Sequence, residues 1–351
     1  MRDSLIRALV PSPAVSAALA AFLATLGRPN NPDTLWHLAL GRWIVTHRAL
    51  PDISQFYYSA TTGPGYDYAW LAQALLFGAH QLLGSAGIAV LNSAVAGFVF
   101  YFLYRLLEHE SSNLVVNFAV LGLALAAITT YLSGRPVIFT LALFTLELFI
   151  VSEFTASVTR RAWSCVWLIP LFTALWANLH PGFVLAPLVV LAFLPLVKGW
   201  RRWVLAGVAA SAVVAVLLNP YGWRLYLVPL ETLKALPMLR SLTEWTGIAG
   251  GEAVLWGGLV ALGTWGCAVR RQPASIVLLF GLSALAAGVS DVLVDDGHGF
   301  GGLDYESLHP AARISQGPSQ RPPTACITRA GIITDGMVMN ISSITLRKIR
   351  P

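Results

Sequence analysis

Charge is what this chain has least of. Only 11% of its 351 residues are Asp, Glu, Lys or Arg, where a soluble domain carries roughly 25%. The shortfall excludes a water-soluble globular domain, because too few ionised groups remain to cover its surface. Cysteine is scarce as well, with Cys165, Cys267 and Cys326 scattered along the chain. Cys165 and Cys267 fall inside apolar segments, which excludes a disulfide framework and a cysteine metal motif. Acids are outnumbered, 17 against 23 Lys and Arg, for a net charge of +6. A basic balance can signal nucleic acid, but these cations stand in short clusters between apolar runs. That is the pattern of a positive-inside bias, so no nucleic-acid partner is expected. What fills the chain is apolar: 56% hydrophobic residues and a mean hydropathy of +0.67. The composition predicts an all-α, polytopic integral membrane protein.

A membrane helix needs about 20 mostly apolar residues, and about 17 at the short end. Runs near that length predict about nine spans, at 8–27, 85–105, 114–133, 137–155, 163–178, 182–197, 203–218, 253–269 and 275–290. The basic run Met1 to Arg7 leads into the first span rather than a cleaved signal. With Arg2 and Arg7 cytoplasmic, the clusters at Arg105, Arg160 with Arg161, Lys198 with Arg201 and Arg202, and Arg270 with Arg271 all fall inside. The outside then receives a first loop, 28–84, a larger loop, 219–252, and turns near 133–136 and 178–182. The transmembrane domain covers 1–290. Residues 291–351 are polar, without periodicity, and read as a disordered tail outside the fold. Asp295-Asp296-Gly297-His298-Gly299 lacks the spacing of a metal loop.

The first loop opens on Asn31-Pro32-Asp33-Thr34-Leu35-Trp36-His37. Pro32 suits a helix start and Asp33 its first turn. Asp33, His37 and Gly41 recur at four-residue spacing, so they share one face of an amphipathic surface helix. A second surface helix is predicted over 67–83. Asp33 can act as a general base or a divalent-metal ligand, and equally can cap a helix flanked by interfacial tryptophans. The charge-derived topology puts Asp33, His37, Asp52, Arg135, Asn178, His180, Asn219, Tyr221 and Glu244 on one side, which predicts an outward polar cavity. Glu147, inside the fourth span, must be paired, protonated or cavity-facing.

These motifs, with Trp70-Leu71-Ala72-Gln73, Arg135-Pro136, Asn178-Leu179-His180-Pro181-Gly182, Asn219-Pro220-Tyr221-Gly222 and Glu244-Trp245, resemble an uncharacterised branch of bacterial multipass proteins. The branch is of the GT-C glycosyltransferase type, related to protein mannosyltransferases and aminoarabinose transferases. The resemblance spans about residues 8 to 285 and ends near 288, where the family continues with further helices. It implies a bacterial inner-membrane enzyme, N-terminus cytoplasmic, that takes a sugar from a polyprenyl-phosphate donor at the outer face. It implies Asp33 as the catalytic acid–base residue. His37, Asp52, Arg135, Asn178, His180, Tyr221 and Glu244 are the candidate substrate-binding residues, and Arg224 and Arg240 are further phosphate candidates. The branch usually has an acid two residues before Asp33. Asn31 stands there, which weakens a divalent metal site and leaves no certain cofactor.

Two other expectations compete with the transferase. One is a transporter or flippase-like carrier, motivated by Glu147 and by Pro and Gly near span ends, though no internal repeat is present. The other is a truncated or divergent member without activity, motivated by the break near 288.

Overall fold

The computed structural model describes residues 11–27, 33–52, 66–128, 132–156 and 160–228, together with 333–334 and 337–338. The expected spans 253–269 and 275–290, Asn31, Arg240, Glu244 and the 295–299 loop lie outside the described residues, as does nearly all of the expected disordered tail. Within that tail, Ile333–Thr334 and Met337–Val338 pair as a two-residue antiparallel ladder.

Ten α-helices make up the body of the described residues. In chain order they are α1 Pro13–Thr25, α2 Asp33–His47, α3 Trp70–Leu83, α4 Ser85–Glu110 and α5 Leu114–Ile128. Then come α6 Val137–Ala156, α7 Arg160–Val166, α8 Ile169–Leu179, α9 Leu185–Ala192 and α10 Trp200–Ala215. Helix starts follow local chemistry. Ser12 caps α1 with Pro13 as its first residue, and Asn113 Oδ1 accepts the free amides of Val115 and Val116 at the head of α5. Three helical stretches are long and apolar enough to cross a membrane: α4, α6, and α10 extended to Leu218. Shorter apolar helices lie at Pro13–Thr25, Leu114–Ala126, Trp163–Leu179 and Pro181–Leu196.

The helices bury small residues and present large ones outward. Helix α1 buries Ala14, Ala17, Ala21 and Thr25 against α4, while Val15, Leu19 and Leu23 are exposed, Leu23 by 66%. Water would penalise that arrangement, whereas lipid tails leave close packing of small residues as the main gain. A buried polar contact joins the two helices, Thr25 Oγ1 to Ser93 Oγ at 3.2 Å. A second core joins the far half of α6 with α7, α9 and α10 through Val151, Phe154, Val190, Leu205 and Val208. A third, around Trp176, Phe183 and Ala72, ties α3, α6, α8 and the 225 region together and supports the polar end described next.

The bundle's two ends differ in chemistry. At one end, His109 meets Glu153 at 2.8 Å, Arg105 pairs with Glu108, Arg201 lies over Phe154, and Trp163 packs on Trp200. The other end gathers α2, the head of α3, the 132–136 turn, the 180–184 turn and the 219–226 segment. Glu147 is on neither: it is 3% exposed within α6, and its Oε1 has no hydrogen-bond partner among the described residues.

Candidate functional site

Asp33 is the first residue of α2, where a carboxylate is favoured by the helix dipole. Arg135 ends the turn that precedes α6. That turn packs directly on the first turn of α2. A Cβ on Gly134 would stand 2.8 Å from Thr34 Oγ1 and 3.1 Å from Ile88, so only glycine lets the two segments meet. Their approach brings Arg135 Nη2 to 3.0 Å from Asp33 Oδ2, with side chains 30% and 43% exposed.

Two histidines complete this group. His37, one turn after Asp33, is pushed down to about 3 by loss of hydration first, then by the charge of Arg135, then by His180. His180 is pushed down to about 4 by loss of hydration and by Arg135. Both rings are therefore neutral at neutral pH, and both stand within the field of one guanidinium. His37 Nδ1 is buried without a partner among the described residues. His180 Nδ1 is held by Thr140 Oγ1 at 2.8 Å and by the Gly182 amide at 3.1 Å. The result is a partly water-accessible corner in which one guanidinium is paired with one carboxylate beside two uncharged imidazoles. Such a corner can attract an oxyanion and can move a proton.

Asn178 and Tyr221 belong to a neighbouring network. Trp70 Nε1 donates to Asn178 Oδ1 at 2.9 Å. Asn219 Nδ2 donates to the same oxygen at 3.2 Å and to the Ala177 carbonyl at 2.8 Å. The Tyr221 amide donates back to Asn219 Oδ1, and the Tyr221 hydroxyl accepts the Asp67 amide at 3.1 Å. Asp67 Oδ1 takes the Ala69 amide and Gln73 Nε2. The side chains of Asp67 and Gln73 are 3% and 2% exposed, and burial raises the Asp67 carboxyl to about 6. Tyr221 is pushed up to about 12, chiefly by the same loss of hydration. Arg224 reaches Tyr66 Oη at 3.5 Å, and Tyr66 stands edge-on to Tyr221, so Arg224 joins this network.

Of the residues chosen from the chain alone, Asp33, His37, Arg135 and His180 come together, and Asn178 and Tyr221 latch the segments beside them. Asp52 is partly buried in the segment after α2. Sequence reasoning passed over Thr140, Asp67 and Gln73 as site residues. Gln73 stood in a noted motif, and Asp67 began the predicted second surface helix. Thr140 carried no signal, being one polar residue in an apolar span. No group of three or more His, Cys, Asp or Glu side chains among the described residues could hold a metal. No protein-family model matches the chain, and neither a curated protein nor a solved structure matches it.

Proposed function

We propose that this chain is a membrane glycosyltransferase that moves a sugar from a polyprenyl-phosphate-linked donor to an acceptor hydroxyl at the outer membrane face. The observation that carries the reading is the Asp33–Arg135 pair, flanked by His37 and His180. A half-exposed ion pair contributes about 1 kcal/mol or less, so it is easily opened. A phosphate ester offers the guanidinium two charge-assisted hydrogen bonds and displaces the carboxylate. Donor binding thereby frees Asp33 beside the sugar. Asp33 then takes the proton of the acceptor hydroxyl as its oxygen attacks the anomeric carbon. The bond from that carbon to the phosphate oxygen breaks with inversion, and polyprenyl phosphate leaves with its new charge on Arg135.

In this reading the chain crosses the bacterial inner membrane about nine times, with 253–269 and 275–290 as the last spans. The basic end faces the cytoplasm along with the N-terminus. The separation of the cationic end from the Asp33 end supports that orientation.

The test uses native membranes supplied with labelled polyprenyl-phosphate sugars. Asp33→Asn should lower transfer by at least about 10²-fold while leaving lipid-phosphate binding unchanged or tighter. Arg135→Lys should raise the donor KM about tenfold. Full activity in the Asp33→Asn protein would sink the catalytic assignment. Label that crosses the membrane chemically unchanged would assign the chain to transport.

A further inference from the structure

The hydrogen bonds around His180 have directions that the local geometry forces. The amide of Gly182 has its hydrogen fixed by the backbone, and it points at His180 Nδ1 from 3.1 Å. That nitrogen must therefore offer a lone pair. Thr140 Oγ1 lies 2.8 Å from the same atom, so its hydroxyl is the donor in that pair. Trp176 Nε1 can only donate, and it does so to Thr140 Oγ1 at 2.8 Å. The relay runs one way, from indole to hydroxyl to imidazole. An imidazolium would carry a proton on Nδ1, facing the Gly182 N–H, so this arrangement selects the neutral ring. The neutral ring has one proton, and it must sit on Nε2.

The surrounding packing is cut to this relay. A Cβ at position 182 would stand 2.6 Å from Thr140 Oγ1 and 3.2 Å from His180 Nδ1. His180 is also the cap of the short helix Pro181–Val184, with extended backbone and its ring accepting the Gly182 amide. Trp176 is 1% exposed, which anchors the start of the chain of bonds. Among the described residues, all of the ring's hydrogen bonds run to Nδ1.

We propose that His180 is a fixed-tautomer donor: its Nε2–H meets a phosphoryl oxygen of the anionic group that Arg135 attracts, and the ring does not act as a base. Trp176, Thr140 and Gly182 are its positioning residues. This rests on the phosphate reading of Arg135 given above. It assigns the two groups complementary tasks, since the guanidinium supplies charge and His180 supplies one directed, uncharged hydrogen bond. The field of Arg135 works in the same sense, because it opposes a second positive charge on the ring.

Two measurements on the full chain in nanodiscs test the assignment. The first is the imidazole spectrum of protein labelled with 15N-histidine, with the His180 signals identified by their loss in His180→Gln. The expected result is the Nε2–H tautomer from about pH 5 to 8, and a shift toward a tautomer mixture in Thr140→Val and Gly182→Ala. An Nδ1–H tautomer or an imidazolium at neutral pH in the wild type would overturn the proposal. The second is calorimetric binding of farnesyl phosphate. Gln keeps an N–H donor near the place of Nε2 but cannot act as an imidazole base. His180→Gln should therefore bind within about threefold of wild type, and His180→Ala about tenfold more weakly. Equal losses in both variants, with unchanged melting temperatures, would overturn the donor role. Farnesyl phosphate binding that ignored Arg135→Ala would overturn the phosphate reading and this role with it, while leaving the tautomer intact. Because the spectrum is read on the wild type and assigned with His180→Gln alone, the tautomer can be tested even where Thr140→Val or Gly182→Ala fails to fold.

Discussion

His37 and His180 are the residues whose protonation most directly reports the site. Their folded pKa values lie near 3 and 4, below the ordinary value of 6.5. As pH falls through 6.5, the unfolded chain takes up protons that the folded chain refuses, so stability present above pH 6.5 is lost toward pH 4 and 3. Asp67 acts oppositely. Its folded value near 6 lies above 3.8, so it favours the fold at low pH, and that advantage is lost as pH rises through 6. Removing one histidine separates the terms. Between pH 7 and 5, wild type should lose about 2 kcal/mol more stability than His180→Gln, read from thermal unfolding in detergent at the two pH values. Equal slopes would show that His180 titrates normally. At this scale the chain exposed its candidates only in part. Asp33, His37, Arg135 and His180 stood out as polar groups beside helix ends. Thr140 did not, because its role depends on a ring brought from 40 residues further along the chain.

At the scale of elements, α2 shows how a local pattern becomes a site. The four-residue spacing of Asp33, His37 and Gly41 put them on one face, and that face turns toward Arg135 and the bundle. Leu35, on another face, is 57% exposed. The helix ends at Arg48, which adopts a left-handed conformation with φ of 52° and donates its amide to Ile44. A side chain there costs roughly 1 kcal/mol that glycine avoids. Arg48→Gly should raise the unfolding free energy by up to about 1 kcal/mol in chemical denaturation, and a loss of stability would mean the arginine makes a compensating contact. Helix positions were legible to within a few residues for α4 and α6, because a long apolar run has one stable outcome. The expected spans 163–178 and 182–197 match the apolar helices Trp163–Leu179 and Pro181–Leu196 in position, but with a turn at Trp167–Leu168 and short 3₁₀ segments at Pro181–Val184 and Leu194–Leu196. Pro170, Pro181 and Pro195 account for this, since each removes a backbone donor.

Across the whole molecule, the polar end is held by bonds between segments distant in sequence. Asn219 is the hub, 3% exposed and bound to both Ala177 and Asn178. Asn219→Ala strands the Ala177 carbonyl and the Tyr221 amide, while Asn178 Oδ1 keeps Trp70, and should cost about 2 kcal/mol, seen as a lower unfolding midpoint and faster proteolysis near 219–226. An unchanged midpoint would remove the latch from this account. Composition and hydropathy sufficed for the helical character of the described residues, the approximate helix positions and the gathering of polar groups at one end, because those properties add up along a chain. Which groups touch was settled only by the fold. The pairing of Asp33 with Arg135, the Trp176–Thr140–His180 relay and the burial of Asp67 on Gln73 depend on helix rotation and on close approaches at glycine. A hydrogen bond is lost with an ångström of displacement, and no local pattern carries distance at that precision.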